Sequence, residues 1–277
     1  MEEAVVRAHW RRRNRDRALP ARAIEGDERR CVDSLRREGF AISSVDALFG
    51  DRSLFEETAA VVRELMETRS VAGVATAGSK ETYLTKLASE RFEATHPCVR
   101  VALHPAALTV ANAYLELRST LRALEVWHTR PSPGQAVQTQ LWHRDADDVM
   151  NVKMFVYFTD VTPAAGPLTV APRTHPLGDR RGAVASDSNG RSTDEQMASV
   201  VPESDWRILA GPPGTIVFAD TCGYHKQLKP ESGERVKLVA QYVSGTPYVP
   251  QALAVSGVDP ATLTEDQHYA VFSRPRS

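Results

Sequence analysis

From about residue 121 the apolar residues of this 277-residue chain change period. Before that point they recur at helical spacing; after it they come in short runs cut by turn signals. Leu121 to His128, Ala136 to Arg144, Val149 to Phe158, Leu168 to Ala171, Thr215 to Ala219 and Arg235 to Val243 read as strands. Pro131-Ser-Pro-Gly134, Pro163-Ala-Ala-Gly166, Gly211-Pro-Pro-Gly214 and Ser232-Gly233 separate them. Helices first and strands afterwards cannot make alternating βαβ units, so a doubly wound sheet is disfavoured. The reading is a mainly β fold with flanking helices, a β-sandwich or jelly roll.

The first part of the chain supplies those helices. Cys31, Val32 and Leu35 share one side of a helix over 27–38, with Gly39 as its stop and a short strand at Phe40–Ile42. Ser53 and Glu56 have the spacing of a capping box before an amphipathic helix over 54–67. Residues 69–80 read as loop, and Pro105 opens a helix over 105–118. The basic run Arg11, Arg12, Arg13, Arg15 and Arg17 reads as a solvated or frayed terminus. A polar, Gly-rich insertion at 178–192 interrupts the strands. Ser192 and Glu195 then have capping-box spacing for a short helix near 193–200. An insertion of this kind is either a passive loop or a lid; as a lid it would be weakly ordered without substrate.

Lys plus Arg number 34 and Asp plus Glu 35, a net charge of −1, which gives no electrostatic reason to expect nucleic acid or an anionic membrane. No apolar run approaches a membrane-spanning length, and the N-terminus lacks a signal-like apolar stretch. Cys31, Cys98 and Cys222 form no CxxC or knuckle spacing, so the expected compartment is a reducing cytoplasm. The length fits one large domain over 1–277: a mostly helical flank to 120, a jelly-roll core over 121–245 and a C-terminal extension over 246–277. The oligomeric state is left open.

Chemistry concentrates in two places. His143-Arg-Asp145 closes a predicted strand, where residues i and i+2 point to one face and can aim a nitrogen and an oxygen at one point. An HxD alone decides little in a chain of this length. His225, after the strand Thr215–Ala219, offers a second nitrogen, and two His with one carboxylate are the facial triad of non-haem Fe(II) oxygenases. Arg235 stands ten residues further on; a buried guanidinium beside an open metal site suits a dicarboxylate, which implies 2-oxoglutarate, with a position left for O2. Gln140 and Lys153 are further candidates for contact with that cosubstrate. Trp142 and Tyr224 flank the ligands, and His128 and His175 read as structural.

The segments WHRDADDVMNVKMFVYFTDVTPAAGPLTVAPRTHP and GPPGTIVFADTCGYHKQLKPESGERVKLVAQYV resemble the phytanoyl-CoA dioxygenase-like family of Fe(II)/2-oxoglutarate oxygenases. The resemblance is clear over roughly 136–243. It implies a double-stranded β-helix (a cupin-like jelly roll), His143, Asp145 and His225 as metal ligands, and Arg235 on the 2-oxoglutarate carboxylate. PRTH, 172–175, stands where the family often has PGSH, so a turn glycine is missing. Related halogenases carry a small residue in place of the carboxylate; Asp145 is present, which implies oxidation of a C–H bond, most simply hydroxylation, of a small molecule of specialised metabolism. Desaturation, epoxidation and ring formation use the same triad. Two rivals remain: a non-catalytic jelly-roll metal- or ligand-binding protein, and a hydroxylase of a macromolecule, which only the Arg11–Arg17 run favours.

Overall fold

The computed structural model describes residues 2–20, 23–68 and 83–273, with side chains from residue 6 onward. The loop expected at 69–80 lies outside the described residues. Among the described residues eleven strands form: β1 (Phe40–Ser44), β2 (Leu84–Ser89), β3 (Arg91–Glu93), β4 (Thr120–Thr129), β5 (Val152–Tyr157), β6 (Leu168–Val170), β7 (Arg207–Leu209), β8 (Thr215–Ala219), β9 (His225–Gln227), β10 (Arg235–Val243) and β11 (Ala254–Ser256). An antiparallel sheet of order β1-β8-β5-β10-β4-β2 faces a smaller one of order β7-β6-β9. These are the two layers of a jelly roll.

Helices cover the outer face of the large sheet: α1 (Glu2–Arg13), α2 (Gly26–Glu38), α3 (Val45–Phe49), α4 (Ser53–Thr68), α5 (Pro97–Ala102), α6 (Pro105–Leu115), and, later in the chain, α7 (Asp194–Ala198) near the small sheet and α8 (Glu265–Phe272) against β4. The main apolar core lies under them: Cys31, Val32 and Leu35 from α2 and Leu108, Val110 and Tyr114 from α6 meet Leu124 and Val126 of β4 and Val236, Leu238 and Tyr242 of β10. A smaller core, Phe155, Tyr157, Leu168, Val217 and Val239, fills the space between the two sheets.

Several local expectations change. The flank expected to be mostly helical also contributes β1 and β2 to the large sheet. Residues 136–144 do not form a strand: Gln138–Gln140 is a 3-10 turn with Gln138 at φ 53°, and Trp142 and His143 pair only as single bridges. The helix opened by Pro105 stops at Leu115, because Glu116 turns left-handed and Asn112 Oδ1 accepts from the Ser119 amide. The Ser53–Glu56 capping box does not form. Ser53 sits inside the helix and donates to Asp51, from both its amide and its hydroxyl. The second box is displaced by one residue, to Thr193 and Gln196, because Ser192 is drawn into a backbone pair with Trp142.

The basic terminus is a docked helix rather than a frayed arm. Trp10 is buried and its indole donates to Asp148 Oδ1 at 3.0 Å; Arg17 is buried and donates to the Arg118 carbonyl at 2.8 Å. The PRTH turn survives without its glycine: Arg173 itself adopts the left-handed conformation, φ 68°, at a cost of about 1–2 kcal/mol. Its amide is tied to Glu38 O and its guanidinium to Asp179.

Candidate active site

The two histidines are backbone partners. His143 N donates to His225 O and His225 N to His143 O, each at 3.0 Å, so the side chains stand together with ring centroids 4.2 Å apart. Each Nδ1 is engaged by a nearby backbone carbonyl, Leu141 O at 2.8 Å and Gly223 O at 3.0 Å. That fixes the ring tautomers and turns both Nε2 atoms, with their lone pairs, to the same side. Asp145 lies there, 3.9 Å from His143 Nε2 and 3.8 Å from His225 Nε2. One ligand atom from each of the three lies within 4.8 Å of the others. The arrangement comes from packing and not from strand alternation: Asp145 N donates to Thr221 O at 2.8 Å, and the Thr221 hydroxyl to Asn151 Oδ1 at 2.7 Å.

The electrostatics suit a cation. Burial, with His225 close by, pushes the His143 imidazole down to about 2, and burial lowers His225 as well, so both rings are neutral. Burial alone would raise Asp145, but Lys153 and the two histidines hold it well below the usual carboxylate range. Two neutral imidazoles and one carboxylate are the donor set that an iron(II) ion takes.

Lys153 lies on β5 and lines the same cavity, with Nζ 2.6 Å from Asp145 Oδ2. Burial opposes its charge, yet Asp145 raises it, so the ammonium persists. Gln140 is buried; its Oε1 accepts from Val137 N at 3.0 Å and its Nε2 has no partner among the described residues. Arg235 is 1% exposed, with Nε and Nη1 unpartnered. Burial lowers it to about 10, which leaves it charged. A buried, charged guanidinium with two nitrogens unpartnered among the described residues fits a carboxylate guest.

The cavity has a volume of about 350 Å³ and runs from the triad along β10 by way of Gln227, Val239 and Gln241. Sequence reasoning missed Lys237. It shares the inward face with Arg235, is 1% exposed, and donates to Gln227 Oε1 at 2.8 Å between the rings of Trp127 and Phe155. Burial, with Arg235 nearby, pushes its ammonium well below the usual lysine range. Its signal was present in the strand's alternation Arg235, Lys237, Val239, Gln241.

The 178–200 segment, read from sequence as a lid or a passive loop, packs beside the site. Val184, Met197 and Val201 form a satellite core with Trp142 and Tyr224, and Tyr224 Oη accepts from Val184 N at 2.8 Å. Arg191, also unforeseen, lines the cavity from this segment. His175 is structural, as expected: it packs on Gly39 with Nε2 3.2 Å from Arg36 O.

The profile of the phytanoyl-CoA dioxygenase (PhyH) family matches residues 3–232. The chain belongs to that family, and in class it is a non-haem iron, 2-oxoglutarate-dependent oxygenase. No curated protein matches it in sequence. Among solved structures it is similar to the epimerase SnoN in complex with Fe3+, alpha ketoglutarate and nogalamycin RO (18% identity, 84% of this chain and 91% of that one, TM-score 0.58). It is also similar to EctD from S. alaskensis with 2-oxoglutarate and 5-hydroxyectoine (20% identity, 88% and 85%, TM-score 0.57). A third is the carbocyclase SnoK from nogalamycin biosynthesis (14% identity, 83% and 90%, TM-score 0.54). At these identities the likeness shows the jelly-roll fold alone. No helix among the described residues is long and apolar enough to cross a membrane.

Proposed function

We propose that the chain hydroxylates a C–H bond of a small organic molecule of specialised metabolism, in the cytoplasm, and converts 2-oxoglutarate and O2 to succinate and CO2. The observation that carries this reading is the convergence of His143 Nε2, His225 Nε2 and Asp145, with both Nδ1 atoms bound to backbone carbonyls. These three residues would hold the iron. Bound iron with 2-oxoglutarate supplies the oxidant that removes hydrogen from the substrate.

The protein's share is to place and protect. The paired backbones of His143 and His225 fix two ligands before any metal binds, which limits the ordering cost of binding. Lys153 holds one Asp145 oxygen and keeps the carboxylate ionised and oriented, so it acts through Asp145. Arg235 takes the distal carboxylate of 2-oxoglutarate, and Gln140, buried with its amide nitrogen unpartnered among the described residues, is a further candidate for contact with the cosubstrate. The 178–200 segment, packed through Val184 and Met197, limits water at the site. Support for a carbon-centred oxidation of a small molecule also comes from the neighbours, which are named as an epimerase, a carbocyclase and a protein bound to 5-hydroxyectoine.

The test is succinate formation by the purified protein given Fe(II), 2-oxoglutarate and O2, without added substrate. Slow turnover that disappears in His225→Ala is expected. Binding of both iron and 2-oxoglutarate with no succinate formed would favour the non-catalytic binding protein instead.

A further inference from the structure

Among the described residues, the charges on the cavity wall are matched with two exceptions, the acid Glu90 and the cation Arg191. Lys86 pairs with Glu125 at 2.5 Å, Arg122 with Asp147 at 3.6 Å and Lys153 with Asp145 at 2.6 Å. Glu90 is exposed and solvated. Arg191 lines the same cavity half-buried, and its guanidinium has no hydrogen bond or ion pair with any described residue.

The backbone that carries Arg191 is held firmly. Its amide donates to Asp187 Oδ1 at 2.9 Å and its carbonyl accepts from Asp187 N at 2.8 Å. The next residue, Ser192, exchanges backbone hydrogen bonds with Trp142, which directly precedes His143. Arg191 is thereby anchored to the strip of chain that holds a metal ligand. A cation fixed in this way is set up to bind a partner, because its backbone loses little freedom on binding.

We infer that Arg191 binds a carboxylate of the substrate, which makes the substrate an organic acid. This deepens the functional reading above and rests on it. The planar fork of a guanidinium matches a carboxylate in two parallel hydrogen bonds. One unmatched cation suits one negative charge; a phosphate dianion would call for a second, and every other cation on this wall is already paired. Leu84, Leu124, Trp127, Phe155 and Leu253 line the remaining wall, so the acid has an apolar body. The cosubstrate has its own cation in Arg235 on β10, whereas Arg191 comes from the insertion at 178–192.

The experiment uses the full chain loaded with Mn(II) and N-oxalylglycine, an unreactive 2-oxoglutarate analogue. Calorimetry then measures binding of matched pairs: phenylacetate against phenylacetamide, and hexanoate against hexanamide. At least one acid is expected to bind about tenfold or more tighter than its amide, the size of one half-buried charge-assisted contact. Arg191→Gln should erase that preference and Arg191→Lys should restore part of it. Mn(II) and N-oxalylglycine affinities should stay within about twofold in both variants, which also reports that they are folded. The inference is overturned if no acid is preferred, or if Arg191→Gln keeps the preference. It is also overturned if Arg191→Gln weakens N-oxalylglycine about tenfold, since Arg191 would then belong to the cosubstrate. Failure of the native protein to take up Mn(II) or N-oxalylglycine would instead overturn the functional reading, and this inference with it.

Discussion

All nine residues of β10 are buried, yet its two faces meet different surroundings. Toward the helices it presents Val236, Leu238, Ala240 and Tyr242, all part of the main apolar core. Toward the small sheet it presents Arg235, Lys237 and Gln241 around Val239. The first face stabilises the chain by removing apolar surface from water. On the second, Arg235 is buried with no acid among the described residues to offset it, and Lys237 has an amide oxygen for a partner. Burying such groups costs several kcal/mol apiece. On the proposed reading one face serves folding and the other binding, so substitutions on the two should be separable in measurement.

The largest expected effect is on the ligands themselves. His143→Ala or His225→Ala should reduce iron-dependent succinate formation to background, because two remaining donors neither hold nor orient the ion. Full activity in either variant would remove the triad from the account.

Next come paired substitutions on the two faces of β10. Leu238→Ala should lower unfolding free energy by about 2–5 kcal/mol in urea titration, while the folded fraction binds 2-oxoglutarate normally. Arg235→Leu should do the reverse. Its 2-oxoglutarate affinity should fall by about 2–5 kcal/mol, or tens to thousands-fold, with unfolding free energy unchanged or raised. If Arg235→Leu unfolds the protein as Leu238→Ala does, the division between the faces fails.

Asp220 spans both regions. It ends β8 ahead of the turn to His225, and Tyr114 of the apolar core donates to its Oδ2 at 2.6 Å. Burial raises its carboxyl from 3.8 to about 6, against the opposing pull of Tyr114. The folded state thus binds this proton more tightly than the unfolded one. Its contribution to stability is full below 3.8 and is lost as pH rises through about 6, roughly 3 kcal/mol in all. Asp220→Asn should flatten the stability profile over that window; an unchanged slope would assign it to other groups.

The smallest effect is on Lys237. Replacing it by Met removes a buried amine but keeps the stem's packing between Trp127 and Phe155. Stability should rise by about 1 kcal/mol, read as a higher urea midpoint.

The strands from 121 onward were legible because burial on both faces leaves continuous apolar runs, and β4, β5, β8 and β10 appear close to where the runs lie. The stretch before His143 was misread. Its alternation looked like a strand, but Gln138 turns left-handed and tertiary pairing of His143 with His225 sets the site. His143, Asp145 and His225 could be nominated from residue type and the family resemblance, and the fold brings them together; Arg235 could be nominated from its place ten residues after His225. Lys153's partnership with Asp145 and the reach of Arg191 into the cavity depend on long-range packing that no local pattern encodes. The basic N-terminus was opaque for the same reason, since Trp10 and Arg17 find their partners at Asp148 and Arg118.

The most direct test of the two-faced account is an anaerobic calorimetric titration of Fe(II), followed by 2-oxoglutarate, into the native protein, His225→Ala and Arg235→Leu. The account predicts that the native protein takes up one iron per chain and then binds 2-oxoglutarate. His225→Ala should lose both steps, and Arg235→Leu should keep the iron step and lose the second. Equal iron uptake by His225→Ala, or undiminished 2-oxoglutarate binding by Arg235→Leu, would contradict it.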